Sequence, residues 1–305
     1  WVSASDYRDD IRISDQILNQ LSDAYRRIRN TCRFLLGNLA DFDPDRDRVA
    51  PAAMPEIDRF ALHRLQLLVQ RARKAYDAYE FHLIYHSLYN FCTVELSAFY
   101  LDVLKDRLYT SAQNAPERRS AQTVLLALAD AMVRLMAPVL PFTAEEIWKF
   151  MPAASGREAS VHLAALPTVA AEFQDPDLAQ KWDRILALRG EVSKAVEGAR
   201  VEKRVGHSLD AAVTISAPES LYQLLGPYRE ELRSILIVSQ ANLVQDQDLP
   251  GAYVSTEIEG LKIGVAAAEG GKCERCWVHD PAVGRLADHP TICPRCRQAL
   301  AASGL

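Results

Sequence analysis

Residues 14–39, SDQILNQLSDAYRRIRNTCRFLLGNL, carry apolar side chains at Ile17, Leu18, Leu21, Tyr25, Ile28, Cys32, Leu35, Leu36 and Leu39. Recurrence every three or four residues is the signature of one buried helical face. Ser14 offers a side-chain oxygen to the first turn, and Gly37-Asn38 supplies a stop. At about 100° per residue, Arg26, Arg29, Asn30 and Arg33 gather on a side roughly opposite the apolar stripe. The stretch therefore predicts a helix that buries one face and displays a basic one.

Reading outward, Asp41 to Pro55, with prolines at 44, 51 and 55, cannot continue that helix. Periodic runs follow from Ile57 to about Tyr79 and from Phe81 to Tyr109. The second of these is apolar enough to be largely buried. After the polar break Thr110–Arg118, Ala121 to Met136 predicts a fourth helix, which Pro138 and Pro141 end. Thr143-Ala-Glu-Glu146 then reads as a capping box, with Phe142 and Ile147 as its hydrophobic staple. Residues 1–165 are thus expected to form one antiparallel helical bundle. A charged helix is expected over Asp177–Arg204. Strand-like runs follow at Ala211–Ser216, Ser234–Val238, Tyr253–Glu257 and Leu261–Val265, with a short helix at Pro218–Leu225. Residues 166–268 read as a small α+β domain and 269–305, where Cys273, Cys276, Cys293 and Cys296 form two Cys-x2-Cys pairs, as a zinc ribbon, so the fold class is mainly α.

Composition bounds the function. The 305 residues are 49% hydrophobic and 25% charged, which excludes wholesale disorder. Mean hydropathy is −0.11, and no stretch holds the roughly 18 uncharged apolar residues of a membrane span. With 35 basic and 40 acidic residues the formal charge is −5, so any nucleic-acid surface must be a local patch. Residue 1 is Trp, with neither an initiator Met nor a leader-like segment, so the chain is expected to be a piece of something longer. A cytoplasmic, monomeric protein with no membrane partner is expected.

Four of the six cysteines form the pattern Cys273-x2-Cys276, sixteen residues, Cys293-x2-Cys296. Each knuckle can bring two sulfurs to one ion, and two knuckles complete a tetrahedron. Four thiolates leave no open coordination position, so a single structural zinc is expected. Paired redox motifs would need a thioredoxin-like βαβ context, which is missing. Iron suits the same ligands, but zinc is the common occupant of a ribbon. Arg275, Trp277 and Arg295 sit in or beside the knuckles and are candidates for RNA contact; Trp277 packing over the metal is the alternative. Cys32 and Cys92 read as buried and inert. His82 and His86, one turn apart near Glu80, read as structural groups of an apolar helix.

Several segments resemble one family. Arg134-Leu-Met-Ala-Pro-Val-Leu-Pro-Phe-Thr-Ala-Glu-Glu-Ile-Trp148 resembles the bundle signature of isoleucyl-, valyl- and leucyl-tRNA synthetases. Tyr25–Asn38 followed by Asp41-Phe-Asp-Pro44, then Tyr79-Glu-Phe-His82 and Leu96–Tyr109, resemble the isoleucyl branch. Val196–Arg200 with Gly206–Leu209, and Lys272-Cys-Glu-Arg-Cys-Trp277, are similar to its C-terminal domain and zinc finger. Trp277 is followed by Val278-His279-Asp280, where the family usually carries an aromatic or basic pair. The resemblance implies a parent ligase that joins isoleucine to tRNA(Ile) with ATP and carries catalytic and editing domains elsewhere in the same chain. The family's His-Ile-Gly-His and Lys-Met-Ser-Lys-Ser motifs do not occur here, so this stretch should hold the tRNA-reading end and no catalytic residue.

Arg26, Arg29 and Arg33 can grip phosphates, and Asn30 can pair with a base edge. The bland reading is a solvated face that balances Asp15 and Asp23. Lys181, Arg184, Arg189, Lys194, Arg200, Lys203 and Arg204 form a second basic series interrupted by acids, readable as RNA contact or as an ordinary exposed helix. Two other functions stand beside the leading one. A free-standing zinc-containing RNA-binding module would have no catalytic parent. The C-terminal half of a DNA-repair glycosylase would need a DNA-reading helical hairpin ahead of the finger, which the sequence lacks.

Overall fold

The computed structural model describes residues 1–304, and Val2 in its backbone alone. The chain forms two compact units: Trp1–Leu108 with Asn114–Pro176, and Tyr109–Gln113 with residue 177 onward.

The first unit is helical. Helix α1 (Asp15–Gly37) begins where Ser14 Oγ accepts from the Ile17 N–H at 3.3 Å and ends at Asn38. Ala24, Ile28, Thr31, Cys32 and Leu35 form its buried face. Then come α2 (Glu56–Asp77), α3 (Phe81–Asn90), a π-helical segment (Phe91–Tyr100), α4 (Leu101–Thr110), α5 (Pro116–Met136) and α6 (Pro141–Phe150). Helix α2 packs on α3 and α5, and α5 packs on α1 and α6. Leu35, Ile84, Leu104, Leu125, Leu128 and Met132 are fully enclosed in this core.

Two expectations change at helix starts. Helix α5 begins at Pro116, inside the apparent polar break, because proline at the first position loses no needed N–H. The capping box at Thr143 does not form. Helix α6 starts two residues earlier, at Pro141, and Leu140 at its cap makes no side-chain bond. The Thr143 hydroxyl instead pairs with Tyr25 Oη at 3.0 Å. Phe142 is 91% exposed and therefore staples nothing.

The second unit is α+β. Helix α7 (Pro176–Val201) precedes β1 (Ala211–Ala217), α8 (Glu219–Leu225), α9 (Leu232–Leu236), β2 (Gln240–Gln245), β3 (Tyr253–Val254) and β4 (Lys262–Ala267). The sheet order is β2-β1-β4-β3. Strand β1 pairs in parallel with β2 (Val213↔Ala241) and antiparallel with β4 (Val213↔Val265). A parallel neighbour needs a crossover, which α8 and α9 provide. The expected strand Ser234–Val238 is the end of that crossover. Leu232, Ile235 and Leu236 bury at helical spacing, and Ile237 turns left-handed at φ 56°. A four-residue apolar run does not by itself separate strand from buried helix. Of Tyr253–Glu257, only Tyr253 and Val254 pair.

The finger adds an antiparallel hairpin of β5 (Gly271–Lys272) and β6 (His279–Asp280), then α10 (Pro294–Ala301). Gly270 leads into it at φ +90°, and a Cβ there would sit 2.3 Å from the Asp280 carbonyl carbon, so no other residue fits. Among the described residues no helix is long and apolar enough to cross a membrane.

Candidate nucleic-acid interface and metal centre

Helix α1 delivers the basic face. Arg26, Arg29, Asn30 and Arg33 are all exposed. Arg26 is held by Asp23 one turn earlier. Neither Arg29 nor Arg33 has an ion-pair or hydrogen-bond partner among the described residues, so the bland reading of a balanced face does not describe them. Both line a cleft of about 910 Å³ between α1, residues 39–44 and α6, whose walls include Leu36, Phe42, Ile147 and Phe150. Asn30 instead opens onto a separate hollow of about 330 Å³ beside the π-helical segment, with Arg27, Thr93, Ser97 and Lys105. The four residues thus share one helix face, of which Arg29 and Arg33 serve one concavity and Asn30 another, while Arg26 lines neither.

The second basic series is largely engaged within its own unit. Lys194 pairs with Glu191 at 2.6 Å, Arg200 with Glu197 at 2.5 Å and Arg204 with Glu202 at 2.7 Å. The Arg189 guanidinium donates to the Ile235 carbonyl, and the Lys181 ammonium lies over the Tyr228 ring. That helix reads as a structural, charge-mixed surface.

In the finger the four cysteine sulfurs lie within 4.8 Å of one another. Cys276 Sγ and Cys293 Sγ are 3.8 Å apart, the edge of a tetrahedron with metal–sulfur bonds of about 2.3 Å. Knuckle backbones support the sulfurs: the Cys293 N–H donates to Cys273 Sγ at 3.3 Å, and the Trp277 N–H to the Cys273 carbonyl at 2.8 Å. Their closeness splits the proton affinities. Cys276 is drawn down to about 4 by its hydrogen bond with Cys296, whereas Cys296 is pushed up by that same bond. The donor set fits a structural zinc. Among the described residues no other group of three or more Cys, His, Asp or Glu converges. His82 and His86 therefore stand outside any metal cluster, and Nδ1 of His82 is buried without a partner.

The sequence-predicted RNA residues of the finger divide. Arg275 donates to the Thr110 carbonyl and to Cys296, and Arg295 to Cys276, so both guanidinia face inward to the metal ligands. Trp277 is 62% exposed at φ 65° and does not pack over the cluster. The departure at Val278-His279-Asp280 has a structural cause. His279 N donates to Ser239 Oγ at 2.7 Å and its ring lies 3.3 Å from Asp210 Oδ1, which fastens the hairpin to the sheet.

Residues 58–215 match the family described as the anticodon-binding domain of tRNA ligase. The chain belongs to that family. Residues 270–299 match a second description, a zinc finger found in FPG and IleRS, which coincides with the four-cysteine cluster. The isoleucine–tRNA ligase of Geobacter sulfurreducens is 55% identical over 98% of this chain. Those of Syntrophotalea carbinolica and Moorella thermoacetica are 54% and 50% identical over 97%. The chain spans 32% of the length of each of these relatives. A solved LeuRS of Agrobacterium radiobacter K84, in ternary complex with tRNA and LeuAMS, aligns over 85% of the chain at 15% identity and TM-score 0.37, too slight a likeness to carry an argument. Within the anticodon-binding family, the matched segment begins at residue 58. The α1 face therefore lies ahead of it, although the ligase relatives align across nearly the whole chain.

Sequence reasoning does not single out the exposed aromatics of α6 as site residues. Phe142 reads as a staple, because an apolar side chain in an apolar run carries no local sign that it faces water.

Proposed function

We propose that this chain is the tRNA-reading part of an isoleucine–tRNA ligase, with tRNA(Ile) as its partner. The observation that carries this reading is the pair of unpartnered guanidinia, Arg29 and Arg33, at the mouth of an open cleft in a chain of the anticodon-binding family. In this reading Arg26, Arg29 and Arg33 hold phosphates and Asn30 meets a base edge, so position and discrimination come from different residues. Trp277 is the finger's remaining candidate for stacking, while Arg275 and Arg295 orient the sulfurs. Cys273, Cys276, Cys293 and Cys296 hold one zinc, which joins α10 to the hairpin. The working segments are 1–165 for the bundle, 166–268 for the α+β junction and 269–305 for the finger. ATP use and isoleucine attachment belong to a catalytic domain of the whole protein, which carries a separate editing domain for valine, in the cytoplasm.

Filter binding of this chain to tRNA(Ile) and to an unrelated tRNA tests the reading. The expected result is preferential retention of tRNA(Ile), with no isoleucine-dependent ATP–pyrophosphate exchange by the chain alone. Equal retention of both tRNAs, or adenylate formation, contradicts it.

A further inference from the structure

Helix α6 leaves two phenyl rings in water. Phe142 is 91% and Phe150 72% exposed, in a unit whose other large apolar side chains mostly fill the core. They are eight residues apart, about 80° round the helix and about 12 Å along it. Glu146 lies on the stripe between them. Phe150 and Glu146 line the cleft that Arg29 and Arg33 border from α1, with Asp43 on its rim. One cleft thus combines a ring face, two cations and two carboxylates.

Each class of group constrains the occupant. An apolar protein segment laid over the rings would strip water from two unpartnered guanidinia, which is costly unless charge compensates. A duplex offers phosphates but keeps its base faces stacked inside. An unpaired RNA loop offers phosphates to the arginines, base faces to the phenyl rings and exocyclic amino groups to the carboxylates. We infer that Phe142 and Phe150 are stacking platforms for unpaired bases of an RNA loop, whose backbone lies against Arg29 and Arg33. The inference rests on the tRNA-reading function proposed above and adds to it the residues that distinguish a loop from a duplex.

The experiment compares the zinc-loaded chain with its Phe142→Ala and Phe150→Ala variants. Ligands are an RNA hairpin with the tRNA(Ile) anticodon loop, carrying 2-aminopurine in that loop, and a duplex of the same stem. Each Phe→Ala change is expected to lower hairpin affinity about tenfold, within the range for removal of one base–aromatic stack. Duplex affinity and the salt slope should stay as they are, and Phe150→Trp should restore binding. Fluorescence of the loop base should fall on binding the unaltered chain and recover with the variants. Unchanged hairpin affinity in both Phe→Ala variants, or equal weakening on hairpin and duplex, overturns the inference. So does a lowered melting temperature in either variant, since the ring would then be covered by the protein. If hairpin binding depends on the rings but tRNA(Ile) is not preferred over other tRNAs, the reading of function fails and this inference stands. Selective binding of tRNA(Ile) without ring dependence gives the converse.

Discussion

In the first turn of α2, the carboxylate of Asp58 is completely enclosed and accepts from Tyr100 Oη at 2.9 Å, Ser120 Oγ at 2.6 Å and both terminal nitrogens of Arg107 at 2.9 and 3.1 Å. Burial followed by the nearby Asp58 charge raises the Tyr100 phenol well above its ordinary value, so it stays a donor. Removing one member of a buried ionic network leaves its partner unpaired, at a cost of about 3–5 kcal/mol. Asp58→Ala is therefore expected to lower the urea midpoint of the first unit by that equivalent, and an unchanged midpoint would show that the network is not holding α2, α4 and α5. A second carboxylate, Asp41, takes hydrogen bonds from Arg118 at 2.7 and 3.0 Å and from Gln122 at 2.7 Å. Burial pushes its pKa up, but the Arg118 and Gln122 bonds and the charges of Arg118 and Arg119 outweigh that and hold it at about 2, against an ordinary 3.8. With the folded value depressed, its contribution is full above about pH 4 and is lost as pH falls toward 2. Unfolding curves of the unaltered chain should thus converge on those of Asp41→Asn across that window; a constant gap between them would contradict the assignment. Neither network is legible in the sequence. Asp58 reads as an ordinary first-turn acid, since its partners lie 42 to 62 residues away.

At the level of elements, local signals serve where the partner is local. The Ser14 cap, the three- or four-residue period of the α1 stripe and each Cys-x2-Cys knuckle are set within a few residues, and the structure forms all of them. Three features escape for the converse reason. The π-helical segment keeps an apolar sequence like that of its α-helical flanks, and only its i→i+5 bonding, such as Leu101 N–H to the Leu96 carbonyl, sets it apart. At residues 234–238, helix and strand can be told apart only once the sheet has placed β1. At Phe142 the capping pattern is present, but Pro141 already begins the helix. The finger makes an element-scale prediction because its core is little more than Cys273, Ile292, Cys293 and Cys296, with Val283 and Leu300 against them. Metal binding should then supply most of the free energy that folds it. Chelation is expected to remove hydrogen-exchange protection from residue 270 onward while leaving α1–α6 protected, and Cys273→Ser to abolish zinc retention by elemental analysis. Cys32→Ser and Cys92→Ser should keep one zinc per chain, since both thiols are buried in the other unit. Protection that survives chelation would overturn the role given to the metal.

For the whole molecule, a net charge of −5 works against any polyanion. Binding must therefore come from a small surface where cations outnumber their partners. Many of the chain's basic groups are already matched by acids, among them Arg26, Lys194, Arg200, Arg204 and Arg297. Arg29 and Arg33 have no such partner among the described residues and line one cleft together, and the sequence shows their common face but not their lack of partners. On the proposed reading, this face of α1 grips RNA. The decisive measurement is affinity for tRNA(Ile) against salt for the unaltered chain and for a folded Arg26→Ala, Arg29→Ala, Arg33→Ala variant. Removing one arginine–phosphate interaction should reduce the slope of log affinity against log salt by about 1, so the triple variant is predicted to bind more weakly with a slope lower by about 2 to 3. The same affinity and the same slope in both proteins would show that this face of α1 does not hold the RNA backbone.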